Sequence, residues 1–179
     1  MRKDELLEAA YAYVLEHGLA DLSLRPLAAA IGSSPRVLLY LFDSKDDLVR
    51  ALLARARADE VALLAEVGGG SLAEVTGQIW AWLAAPARRP LLTLWTEAYA
   101  RSLVDPAGPW GGFARDTVRD WLDLLAAAQP PELRDSDAGR AQCTLVLAGL
   151  RGALLDLLAT GDRARTTAAI DRLRTSTTA

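Results

Sequence analysis

Apolar residues recur in this chain at the spacing of a helix and nowhere at that of a strand. Between Lys3 and Glu16 they fall at Leu6, Leu7, Ala10, Tyr11, Val14 and Leu15, which share one face of a 3.6-residue turn. No run alternates with the period of two that a half-buried strand needs. The chain is therefore predicted to be all-α, with about nine helices separated by residues that start and stop them. Gly18 stops the first helix. Ser23 is expected to cap a helix over Leu24–Ile31, with Pro26 tolerated in its first turn. Gly32-Ser33 breaks the chain, and Ser34 with Pro35 at the first helical position opens the short helix Pro35–Phe42. Asp43-Ser44 closes that helix and caps a long one from Lys45 to about Glu66. After the hinge Gly68-Gly69-Gly70-Ser71, further helices are predicted near Leu72–Ala84, Arg88–Val104, Trp110–Ala128 and Ser136–Thr160. Gly161 ends the last of these, Asp162 caps a final helix to about Arg174, and the tail Thr175–Ala179 is expected to be loose.

Composition narrows the function classes. The single cysteine, Cys143, excludes an internal disulfide and fits a cytoplasmic setting. Acidic residues at Asp4 and Glu5 come too early for a secretory signal. The most apolar run, Cys143–Ala159, is interrupted by Arg151 and Asp156, which argues against a membrane span. The net charge of −3 disfavours nonspecific polyanion binding but leaves room for a local basic face. The glycine run at 68–70 lacks the lysine and preceding strand of a phosphate loop. No His, Cys or carboxylate spacing suggests a metal, and no catalytic residues or cofactor are expected. His17, before Gly18, reads as a capping cation at a helix end.

Helix 24–31, the turn at Gly32-Ser33 and helix 35–42 have the dimensions of a helix-turn-helix. Leu27, Ala28, Ile31, Leu38 and Phe42 would face Leu7, Ala10 and Val14, and Arg36 and Tyr40 would share the outward face. By spacing alone, the pair could equally be a bend between two core helices.

The first fifty or so residues resemble the TetR (tetracycline-repressor) family of bacterial transcription regulators. The likeness rests on Ala9-Ala10, Glu16-His17-Gly18, Ser23–Ala28, Gly32, Ser34 and the run "YLFDSKDDL" at Tyr40–Leu48, in order and without a gap. It implies residues 1–49 as a helix-turn-helix DNA-binding domain and residues 50–179 as a helical ligand-binding and dimerisation domain. It also implies phosphate contacts from Ser23, Ser34, Tyr40 and Lys45, and a phosphate or base contact from Arg25. Arg36 suits a guanine edge, and Val37 a thymine methyl. The sequence departs from that family's pattern in having apolar Val37, Leu39 and Leu41. Residues 1–50 also carry six cations (2, 3, 25, 36, 45, 50) against eight acids (4, 5, 8, 16, 21, 43, 46, 47).

The remaining chain would supply a dimer interface and a pocket. The helix at 136–160 is apolar nearly all round, which calls for cover on two faces. Gly149, Gly152 and Ala153 form a small-residue strip that would admit a second copy. Leu145, Asp156, Ile170 and Leu173 complete the expected homodimer interface. Trp80, Trp95, Tyr99, Trp110, Phe113, Thr117 and Trp121 are expected to line a pocket for a hydrophobic or aromatic effector. Trp110, Phe113, Thr117 and Trp121 fall on one helical stripe, and Glu97 is expected to pair with Arg101. The resulting reading is a ligand-responsive repressor that binds a palindromic operator in double-stranded DNA as a dimer. The alternative is a helical carrier of small molecules that does not bind DNA.

Overall fold

The computed structural model describes residues 2–19 and 21–176, with no strand among them. Its helices are α1 (Lys3–His17), α2 (Leu24–Ala30), α3 (Pro35–Phe42), α4 (Lys45–Glu66), α5 (Leu72–Leu83), α6 (Arg89–Val104), α7 (Phe113–Ala127), α8 (Pro131–Arg134), α9 (Asp137–Thr160) and α10 (Arg163–Ser176). A 3-10 turn over Pro86–Arg88 leads into α6. Thr175 and Ser176 complete α10; the rest of the expected loose tail, residues 177–179, lies outside the described residues.

Two boundaries differ from expectation for identifiable reasons. Pro130-Pro131 does not merely punctuate the chain: Pro131 takes the first position of the extra helix α8, where its missing N–H costs nothing. Trp110 precedes α7 instead of joining its stripe, because Gly111 and Gly112 hold the chain in a turn there. A Cβ on Gly111 would stand 2.5 Å from the Pro106 carbonyl oxygen, so only glycine fits. α7 then starts on a borrowed cap, the Ala114 N–H donating to Ser102 Oγ at 3.1 Å.

The chain forms two compact units. The first comprises residues 1–61 and 90–115, the second 62–89 and 116–179. In the first unit, α1 packs on α2, and α2 on α3. The buried residues include Leu6, Ala10 and Val14 of α1, Leu27 and Ala28 of α2, Leu38 and Phe42 of α3, and Leu48 and Leu52 of α4. Burying one such side chain is worth about 1.5–3 kcal/mol, so this layer holds the three short helices in place. A polar clasp adds direction: Tyr11 donates its phenol proton to Asp59 Oδ2 at 2.7 Å. Arg55 lies over the Tyr11 ring and bonds both Glu8 and Asp59, tying α1 to α4. α6 belongs to the same unit and reaches two of its backbones. Trp95 Nε1 donates to the Ala56 carbonyl at 3.3 Å, and the Leu19 N–H donates to Glu97 Oε2 at 3.0 Å. Glu97 thus reaches back to Leu19 and not, as expected, forward to Arg101.

In the second unit α10 packs on α9 and α5, and α8 on α9. Gly149 gives Leu173 its space: a Cβ there would meet Leu173 Cδ2 at 2.5 Å. Gly77 does the same for the Arg174 guanidinium, whose Nε donates to the Ala73 carbonyl at 2.9 Å. By length and composition α9 is apolar enough to cross a membrane. Its outward face is a row of Ala141, Thr144, Leu145, Ala148, Gly152, Leu155 and Ala159, all exposed.

The clasp gives the first unit a pH dependence. Burial, then the hydrogen bond to Asp59, pushes the Tyr11 phenol well above its usual value. A raised folded pKa stabilises fully below the unfolded value and loses that contribution as pH climbs past it. Unfolding free energy should therefore fall as pH rises above about 10, and Tyr11→Phe should flatten that fall. Urea titrations between pH 8 and 11 measure it.

Candidate nucleic-acid interface

The candidate surface is built by three short segments. Their geometry follows from which serines can cap. An N-cap serine accepts from the N–H two or three residues on, and the bonded serine caps of this chain take the third. Ser34, Ser44, Ser71 and Ser136 all do this, accepting from Val37, Asp47, Glu74 and Gly139 respectively. Ser23 has the extended N-cap backbone but makes no side-chain cap bond, contrary to expectation. The position three residues on is Pro26, which has no N–H to give. The Ser23 hydroxyl is therefore exposed and uncommitted at the start of α2, beside the free Leu24 and Arg25 N–H groups that every helix N-terminus leaves.

Ser23 lines an open groove of about 850 Å³ together with Asp21, Leu22, Leu24, Arg25, Pro26, Pro35 and Lys45. The turn that frames it uses Gly32 at φ +65, a left-handed conformation suited to glycine. Asp43, at φ 63, ends α3 and lets α4 start immediately at Ser44. There the Asp47 carboxyl is held below its usual range by hydrogen bonds from Ser44 and Arg50.

α3 presents the second half of the surface. Leu38 and Phe42 are buried at 1% and 2% exposure, while Arg36, Val37, Leu39 and Tyr40 face outward, Tyr40 at 83%. The Ser34 hydroxyl is already spent as an acceptor from Val37 but keeps its proton to donate.

Charge is distributed by pairing as well as by number. Arg2 pairs with Glu5, Arg50 with Asp47, Arg55 with Glu8 and Asp59, Arg57 with Glu60, and Lys3 lies over the Phe42 ring. Arg25, Arg36 and Lys45 form no ion pair among the described residues. The acid excess of residues 1–50 is thus partly neutralised elsewhere, and three free cations are left on this surface, with Asp21 beside them.

The expected pocket residues are divided between the units. Trp95, Tyr99, Trp110 and Phe113 lie in the first, and Trp80, Thr117 and Trp121 in the second. All are buried except the half-buried Tyr99 and Thr117. Trp80 spends its indole N–H inside its own unit, on Thr167 Oγ1 at 3.0 Å. Of the expected interface residues, Leu145 is 58% exposed and Gly152 opens onto empty space. Ala153 is half-buried. Gly149 and Leu173 face each other, Ile170 is buried at 2%, and Asp156 is bound by Arg165 through both oxygens. No cluster of metal-ligating residues is found among the described residues. Sequence reasoning missed the role of Glu97, since nothing in its spacing points 78 positions back to Leu19.

Residues 6–52 match the family model described as bacterial regulatory proteins, tetR family. The sequence comparison with curated proteins found no match. Among solved structures, the chain is similar to a transcriptional regulator from Rhodococcus sp. Rha1, with 21% identity, a TM-score of 0.82, and 99% of this chain and 96% of that chain covered. It is also similar to a TetR transcription regulator from Haloarcula marismortui, with 19% identity, a TM-score of 0.76, and coverage of 98% and 95%. A third is the multidrug binding protein EbrR complexed with proflavin, with 24% identity, a TM-score of 0.65, and coverage of 97% and 99%.

The capping rule is directly testable. Ser34→Ala should cost about 1 kcal/mol of unfolding free energy, whereas Ser23→Ala should cost close to none, as read from urea titrations of the protein without DNA.

Proposed function

We propose that this chain, whose residues 6–52 match the family model of bacterial regulatory proteins, tetR family, is a ligand-responsive cytoplasmic repressor that binds a palindromic operator as a homodimer. The observation that carries the DNA-binding half is the set of unpaired cations, Arg25, Arg36 and Lys45, around a helix held only by its inner face. In this reading residues 1–49 are the DNA-binding domain and residues 50–179 the ligand-binding and dimerisation domain.

The groove face would hold the sugar-phosphate backbone. Arg25, Lys45 and the unused Ser23 hydroxyl have the charge and donors for phosphate, and Ser34 and Tyr40 add two more hydroxyl donors. These contacts position the protein without reading sequence. Arg36 is the side chain on α3 able to make a bidentate bond to guanine O6 and N7, a pairing worth about 1–3 kcal/mol of discrimination. Val37 and Leu39, both about two-fifths exposed, fit thymine methyls.

A second copy is the natural cover for the exposed row on α9. Gly152 and its small neighbours would let the partner helix approach closely, with Leu145 and Leu155 as the apolar anchors. A twofold dimer then presents two α3 helices to successive major grooves, about 34–36 Å apart or a multiple of it. The effector would be hydrophobic or aromatic, in keeping with the aromatic residues of α6 and the turn before α7. The likeness to a protein crystallised with proflavin supports this. The acid excess of residues 1–50 favours a carrier that never meets DNA, and a gel shift against DNA selected from the source genome separates the two readings.

In that assay, Arg36→Ala should lose preference at one guanine per half-site while keeping its affinity for scrambled DNA. Lys45→Ala should weaken cognate and scrambled DNA alike and reduce the slope of log K against log salt by about 1. Equal losses on both duplexes for Arg36→Ala would make Arg36 a phosphate contact only. The dimer has its own test. A side chain at position 152 meets nothing within 4 Å in the protomer, so Gly152→Leu should leave the fold intact and shift sedimentation to the monomer. A fully dimeric variant would exclude α9 as the interface.

A further inference from the structure

α6 lies far outside the DNA-binding segment in sequence, yet its Glu97 ends on the connection between α1 and α2. Oε2 accepts from the Leu19 N–H at 3.0 Å and sits 3.6 Å from where a Gly18 Cβ would be. Gly18, at φ +79, ends α1 and turns the chain, and Leu19 is buried at 1%. The Leu22 N–H then closes on the Leu19 carbonyl at 3.2 Å. Three residues separate the amide held by Glu97 from Ser23, and Asp21 and Leu22 among them already line the groove.

Two features set this contact apart from ordinary packing. The carboxylate lies just past the C-terminus of α1, where the helix dipole presents its negative end and disfavours an anion. It is half-buried there all the same. Its partner is a backbone N–H, which every residue except proline would supply at position 19. Two residues earlier on the same helix, Trp95 grips the Ala56 carbonyl of α4. α6 thus reaches two backbones of the first unit, one on the connection before α2 and one within α4.

We infer that Glu97 is a positioning residue for DNA binding: by fixing the Leu19 amide it sets the α1–α2 connection, and with it Ser23 and Arg25 on the phosphate-binding groove. This rests on the DNA-binding reading above and adds a control point to it. A movement of α6 that pulls Glu97 off Leu19 loosens the groove face while leaving α3 seated by Leu38 and Phe42. Phosphate affinity is then lost before base preference.

Amide exchange by mass spectrometry on the full chain without DNA tests the tie itself. In Glu97→Ala, exchange at the bonded Leu19 and Leu22 amides should rise about tenfold or more, as expected when a charge-assisted bond to an amide is removed. Exchange over residues 3–14 should not change. Glu97→Gln keeps an acceptor oxygen and should stay near wild type. Binding to a duplex that the wild-type chain selects from a random library tests the consequence. Glu97→Ala should bind cognate and scrambled duplexes about tenfold more weakly, with a shallower salt slope, and Glu97→Gln should rescue most of the loss. Unchanged exchange in Glu97→Ala overturns the tie. Equal weakening by Glu97→Ala and Glu97→Gln, or loss of base preference at constant scrambled-DNA affinity, overturns the positioning role. If the wild-type chain selects no duplex, the DNA-binding reading fails, and the positioning role falls with it even where exchange upholds the tie.

Discussion

α3 is anchored to the protein by two side chains, Leu38 and Phe42, one turn apart. Eight residues are too few to hold a helix in water, so its existence depends on burying that pair within the first unit, where α2 packs on α3 and Lys3 of α1 lies over the Phe42 ring. The same burial fixes its rotation. With positions 38 and 42 inward, a helix of 3.6 residues per turn must turn 36, 37 and 40 outward. Anchoring the helix and aiming its outer face are therefore one event, and everything proposed about DNA reading follows from it.

Around that event the molecule spends its polar groups on fixing backbones. Ser34 caps α3, Ser44 caps α4, the Tyr11–Asp59–Arg55 clasp joins α1 to α4, and Trp95 and Glu97 reach carbonyl and amide directly. Of the acids that make residues 1–50 negative overall, Glu5, Glu8 and Asp47 are committed to cations. Arg25, Arg36 and Lys45 are left out of it. A weakly acidic chain can in this way carry a basic working surface, because partners in the fold silence charge locally while net charge counts every residue alike.

The helices were legible because their boundaries are chemical. Gly18, Gly32 and Gly161 stop helices at positive φ, and of the three expected serine caps Ser34 and Ser44 bond as expected while Ser23 does not. Ser23 shows where reading residue types alone falls short. The donor that the other serine caps use lies three residues on, and there Pro26 has none. The candidate site was legible in its motif residues, since those lie on α2, α3 and the start of α4. It was less legible on the rest of the chain. Gly149 and Leu173 carry the small and apolar residues of an interface, yet they face each other between α9 and α10, and Ile170 is already buried in the protomer. Periodicity says which face is apolar; it does not say which neighbour covers it. Glu97 was illegible for a related reason, because an i, i+4 pair with Arg101 is visible in sequence and a bond to a distant backbone amide is not.

The central claim is that two copies of α3 read one face of a DNA duplex. Hydroxyl-radical footprinting of the wild-type protein on a duplex it selects tests this most directly. The account requires two protected patches related by a twofold axis, with centres one helical turn or a small multiple apart and both on the same face. A single protected patch, or protection spread evenly around the duplex, would contradict it.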